Sequence, residues 1–172
     1  MDCMTQYALK DKNFIEYIKD ILEDSEYLKL ELFSHHNNST RLDHCMHVAY
    51  SCYFATLHSK YKYKRSLIRG ALLHDFFLYD YTEEKALKKH WLHGVFHPKV
   101  SLHNALERFS LDKIERSVIA RHMFPLTIIP PLNKAAWYVI FYDKYWAIRE
   151  LFKNSDFNKD ITHIEHKLLK AA

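Results

Sequence analysis

Two glycines, Gly70 and Gly94, serve a chain of 172 residues, where ordinary composition would supply about 12. Sheets and hairpins consume glycine at turns that need positive φ, so this scarcity predicts long helices joined by few tight turns. The expectation is a single all-α domain over residues 1–172, a bundle of about six to eight helices. A chain of this length buries about 70% of its unfolded surface, enough for a core without staples. With 48% apolar and 27% charged residues the composition is that of a globular protein. The three cysteines, Cys3, Cys45 and Cys52, form no CxxC pair and read as reduced thiols. No run approaches the roughly 18 apolar residues of a membrane span, and residues 1–12 lack the pattern of a secretory leader. A cytoplasmic protein with no membrane partner is the expectation.

The net charge is +4, with 25 basic residues interleaved among 21 acidic ones. Nucleic-acid binders concentrate positive charge on one face. Here the densest cluster is Lys60–Arg65, which alternates lysine with tyrosine and reads as a solvated helix junction. A basic nucleic-acid binder using that cluster is therefore the weakest reading of the chain.

Periodicity places the helices. Phe14, Ile18, Ile21 and Leu22 start one within residues 13–33. A polar stretch over 34–40 reads as a loop, with Thr40 as the N-cap of a helix striped by Leu42, Cys45, Ala49, Cys52 and Thr56. A third helix is expected over about 64–78. Asp80 and Glu83 fit a capping box for a short helix reaching about residue 90. Pro98 marks the start of the next, ending near Phe109, and Ser110 caps another through about Met123. Three prolines make 125–131 irregular, a long helix fills about 133–152, and a weaker one closes the chain over 158–170. The stripe Trp137, Tyr138, Tyr145 and Trp146 reads as packing.

The informative residues are ionisable groups in apolar surroundings. His74 and Asp75 interrupt the most apolar run of the chain. Asp143 occupies the i+7 place from Ala136 on a face with Val139, Ile140, Ala147 and Leu151, so it points inward. His122 continues the face of Leu111, Ile114 and Val118. Burying an ionised carboxylate without a partner costs several kcal/mol or more. Two remedies suit such a set: a salt-bridge network with Lys or Arg, or a divalent metal held by imidazole and carboxylate.

Five segments carry a resemblance. Arg41-Leu42-Asp43-His44-Cys45-Met46-His47-Val48-Ala49, Gly70-Ala71-Leu72-Leu73-His74-Asp75, His93-Gly94-Val95-Phe96-His97-Pro98, Arg121-His122-Met123-Phe124-Pro125-Leu126 and Tyr142-Asp143-Lys144-Tyr145 together resemble the H…HD…D signature of the HD-domain metal-dependent phosphohydrolases. The similarity covers about residues 35–152, and the segments resemble those of a bacterial subgroup of small stand-alone HD proteins. It implies that His44, His74, Asp75 and Asp143 hold one metal ion, with His97 and His122 holding a second and Asp75 bridging the two. His47, three residues from His44, is an alternative to it as ligand. Iron or manganese, one or two ions per chain, would suit such a donor set.

The implied activity is hydrolysis of a small phosphate ester, such as a nucleotide, by metal-activated water. His74 and Asp75 then stand at the reacting centre. Arg41 and Lys144 are candidates to bind the phosphate, as are His35, His36, His90 and His93. Phe76-Phe77 follows Asp75 in place of the x-Gly-Lys string found in the signalling phosphodiesterases of the family, which argues against cyclic-dinucleotide cleavage. The alternative is a non-catalytic HD-type module that senses a nucleotide or is stabilised by its metal. The aromatic-rich helices would allow a homodimer.

Overall fold

The computed structural model describes residues 3–35, 39–79 and 90–151. At its centre lies helix α4 (Arg41–Thr56). Its start is fixed by a reciprocal capping box: the Thr40 hydroxyl accepts from the Asp43 amide at 3.1 Å, and Asp43 accepts from the Thr40 amide at 3.4 Å. Thr5 also donates to Asp43, at 2.7 Å, which ties α1 (Cys3–Ala8) to this end. Almost every side chain of α4 is buried, the polar Arg41, Asp43, His44 and His47 included. A helix buried all round is a core helix, and the others pack about it.

The remaining elements are α2 (Lys12–Leu22), α3 (Ser25–Leu28), a 3-10 turn (Lys29–Leu32), α5 (Lys64–Leu73), α6 (His90–Arg108), α7 (Lys113–Arg121) and α8 (Lys134–Leu151). Helices α5 and α8 pack on α4, α7 packs on α5 and α8, and α6 lies against α7. Among the described residues the chain is an all-α bundle of eight α-helices around one core, and the only extended pairing is an isolated bridge between Ser34 and Thr40. No helix among these residues is long and apolar enough to cross a membrane.

Several boundaries differ from the sequence expectation, each for a local reason. The helix expected over 13–33 breaks at Glu23-Asp24, because the Asp24 carboxylate caps the Tyr27 amide at 2.9 Å and starts a new turn. The helix expected to reach residue 78 stops at Leu73, with His74 as its cap. Pro98 lies inside α6 and does not open it. It lacks the N–H that would bond the Gly94 carbonyl, and packing holds the helix together on both sides of it, with His97, Ser101 and Ala105 buried. Asp112, not Ser110, caps α7, in a second capping box with Glu115. Leu151 is 52% exposed and off the expected inner face of α8, while Glu150 is buried. Helix α1 had no sequence signal, and the helices expected over 80–90 and 158–170 lie outside the described residues.

Gly70 is needed for the contact between α5 and α7. A Cβ there would sit 2.9 Å from the Val118 Cβ, too close for either helix to ignore. Beside it, the buried Arg69 guanidinium donates to Glu115 at 2.6 Å and to Asp20. Gly70→Ala is expected to lower stability by about 1–3 kcal/mol through overpacking, despite a helix-propensity gain of about 1 kcal/mol. An unchanged urea midpoint would contradict this account of the contact.

Candidate metal centre

Six of the residues singled out in the sequence converge on one buried place. His44 comes from α4, His74 caps the end of α5 and Asp75 follows it. His97 comes from the middle of α6, His122 caps the end of α7, and Asp143 comes from α8. None is more than 6% exposed.

Two of the histidines are set by the same local device. His74 Nδ1 lies 2.6 Å from the Ala71 carbonyl, and His122 Nδ1 lies 2.9 Å from the Ile119 carbonyl. A carbonyl can only accept, so each Nδ1 donates, and Nε2 is the nitrogen turned to the site. Both bonds also satisfy a carbonyl left without a partner at a helix end.

Around these rings the donor atoms of the six residues form two groups, His44, His74 and Asp143 in one and Asp75, His97 and His122 in the other, and a third group joins His35 and His44 to Asp75. In the first, Asp143 Oδ1 is 3.3 Å from His44 Nε2 and 3.9 Å from His74 Nε2. In the second, Asp75 Oδ1 is 3.1 Å from His97 Nε2 and 3.3 Å from His122 Nε2. The other oxygen of Asp75 stands 3.7 Å from His74 Nε2, which links the groups.

The packing of these atoms suits cations. His97 Nε2 and His122 Nε2 face each other at 2.8 Å. His74 Nε2 and Asp75 Oδ1 are buried and, for all their near neighbours, meet none with the angles of a hydrogen bond. Orphaned donors and acceptors of this kind are costly in a protein interior. Imidazole nitrogens and carboxylate oxygens lying within 4.8 Å of one another in each group are a donor set for a divalent transition metal. These residues therefore fit metal ions.

Electrostatics separate the histidines. Burial alone would depress His44, but Glu150 and Asp143 beside it outweigh this and raise it to about 10. His74 falls to about 4, chiefly through burial, with the neighbouring histidines adding to it. His35 also falls to about 4, through burial and the charge on His44. For Asp75 and Asp143 burial works upward, yet the surrounding histidines, and Lys144 at Asp143, hold both carboxyls below the usual range.

The remaining candidates sit differently. Lys144 donates from Nζ to Asp143 Oδ2 at 2.6 Å and is 42% exposed, so it stands at the rim of the cluster. Arg41 is fully buried. Its guanidinium lies 3.7 Å from the Phe77 ring and donates to the carbonyls of Phe77, at 2.6 Å, and Tyr79, at 3.3 Å. This holds the segment after Asp75 in place, where the sequence suggested a phosphate binder. His47 is buried as well, but it packs its ring on Trp146 at 4.4 Å and belongs to none of the donor groups, so His44 is the histidine of α4 that joins them. His36 and the side chains of His90 and His93 lie outside the described residues. Trp137, from the expected packing stripe, is 48% exposed.

Sequence reasoning missed Glu150. It lies seven residues beyond Asp143 on α8 and is buried at the outer side of His44, 3.1 Å from its Nδ1. The i+7 spacing that placed Asp143 inward from Ala136 would have found it too.

No family model matches this chain, nor does any curated protein or solved structure.

The shifts set the pH dependence of the metal-free protein. His44, raised above its unfolded value of about 6.5, contributes stability that is complete below that pH and lost as pH climbs toward 10. His35 and His74, both lowered, oppose unfolding above about 6.5 and lose that contribution as pH falls toward 4. The melting temperature of chelator-treated protein is expected to peak near pH 6.5 and to fall on both sides. A melting temperature that is level from pH 6.5 to 9 would contradict the charge assigned to His44.

Proposed function

We propose that this chain is a metal-dependent phosphohydrolase of the HD type, acting on a nucleotide or another small phosphate ester. The observation that carries the reading is the Asp75 carboxylate shared between two groups of buried donors, one completed by His44, His74 and Asp143 and the other by His97 and His122. The order of these residues along the chain is the order of the HD-family resemblance. When bound, divalent ions would supply acidity to a water molecule and neutralise charge on the phosphoryl group.

The chain's own residues do the rest. His74 and His122, with Nδ1 committed to backbone carbonyls, offer Nε2 without rearrangement. Lys144 brings an exposed cation to the edge of the cluster, where it can orient a phosphate and balance its charge. Arg41 acts through the backbone, holding the Phe77–Tyr79 segment beside Asp75. Mixed imidazole and carboxylate donors favour iron or manganese as the working metal. A cytoplasmic enzyme working on a soluble phosphorylated substrate fits the composition.

The test is elemental analysis and phosphate release by wild type and Asp75→Ala, assayed against nucleoside mono-, di- and triphosphates and dinucleotide polyphosphates. Wild type is expected to carry iron or manganese and to release phosphate or a nucleotide. The variant should lose most of its metal and fall at least about 100-fold in rate. Equal metal content and equal activity in the variant would overturn the proposal, and tight nucleotide binding without product in wild type would point to a sensing module.

A further inference from the structure

The first donor group has a support that the HD-type set of six residues leaves out. The connector before α4 is closed on itself: the His35 amide donates to the Ser39 carbonyl, and the Arg41 amide to that of Phe33, both at 2.9 Å. This lays the His35 ring flat on that of His44, with centroids 4.0 Å apart and planes 28° from parallel. Glu150, in the last turn of α8, meets both rings. Its Oε2 lies 2.6 Å from His35 Nδ1 and its Oε1 3.1 Å from His44 Nδ1.

An ionised carboxylate only accepts, so both Nδ1 atoms donate to it, and the two rings are held in the same sense. For His44 the consequence is visible, because its Nε2 is the atom 3.3 Å from Asp143 Oδ1. For His35, Nε2 is the nitrogen that would meet a ligand. A ring nitrogen of His35, one of His44 and an oxygen of Asp75 all lie within 4.8 Å of one another. His47 also approaches Glu150 Oε1, at 3.6 Å, but its ring rests on Trp146 and it joins no donor group. The carboxylate thus aims two imidazoles inward and is steadied by a third.

We propose that His35 is an additional metal ligand and that Glu150 is the positioning residue that presents His35 and His44 together. This rests on the metal centre proposed above. A carboxylate behind a ligating histidine fixes its tautomer and raises its basicity, and loss of such a partner costs roughly 10–100-fold in metal affinity. Glu150 would serve two ligands with one carboxylate. It would also tie the connector that carries His35 to the far end of α8.

The test uses metal-depleted full-length protein titrated with Mn²⁺ for affinity and with Co²⁺ for its visible spectrum, comparing wild type, His35→Ala, Glu150→Gln and Asp75→Ala. His35→Ala is expected to weaken one ion about 10-fold or more and to shift the Co²⁺ bands. Glu150→Gln should weaken the same ion roughly 10–100-fold. Both losses are required: wild-type affinity and spectrum in either variant would overturn the proposal, whatever happens to its melting temperature. Should Glu150→Gln fail to fold, His35→Ala decides the matter alone, since His35 sits on a connector outside the helical core. If wild type takes up no metal, the metal centre itself fails. If only Asp75→Ala loses metal, the centre stands and this inference falls.

Discussion

An ionised carboxylate in an apolar interior must be met by positive charge, and Asp75 sets that requirement for the whole bundle. It sits between Leu72-Leu73 and Phe76-Phe77, in the most apolar part of the chain. Several elements secure the backbone on either side of it. Tyr27 donates its hydroxyl to the Leu72 carbonyl at 2.8 Å, Asn104 donates to that of Phe76 at 2.9 Å, and Arg41 holds Phe77 and Tyr79. These donors come from α3, α6 and α4, so the position of one carboxylate is fixed by helices distant in sequence. Such over-determination is how a fold keeps a costly group in one geometry.

The chain uses both remedies for buried charge, in different places. Where α2, α5 and α7 meet, Arg69 is neutralised by Asp20 and Glu115, an ordinary salt-bridge network between charged side chains. Just beyond the end of α5, the partners of Asp75 are imidazoles. Imidazole can be neutral, protonated or bound to a cation, and guanidinium cannot. The first arrangement can only hold helices together. The second leaves room for exchangeable chemistry, and this difference in partner type, more than burial itself, separates scaffold from site.

Much of this was legible in the sequence because it depends on local rules. Glycine scarcity gave the all-α class, Thr40 its cap, and the i+7 relation to Ala136 the inward direction of Asp143. His122 followed from the apolar face of Leu111, Ile114 and Val118. What escaped was whatever depends on tertiary context. Pro98 looks like a helix start until packing on both sides carries α6 through it. Arg41 looks like a surface phosphate binder until its buried guanidinium meets two carbonyls and the face of Phe77. Arg69 next to Gly70 gave no hint of Glu115, 46 residues away. Glu150 was within reach of the same spacing that found Asp143, but Leu151 beside it drew the apolar face one residue too far.

The bonds from His74 to Ala71 and from His122 to Ile119 each span only three residues. They need nothing but the last turn of a helix, so the aim of each ring is set locally, within the element that carries it. Distant segments then bring the two rings together without having to set their tautomers. A mutation that frays the end of α5 or α7 would free His74 or His122 from its carbonyl and let that imidazole swing, with every other residue of the centre unchanged.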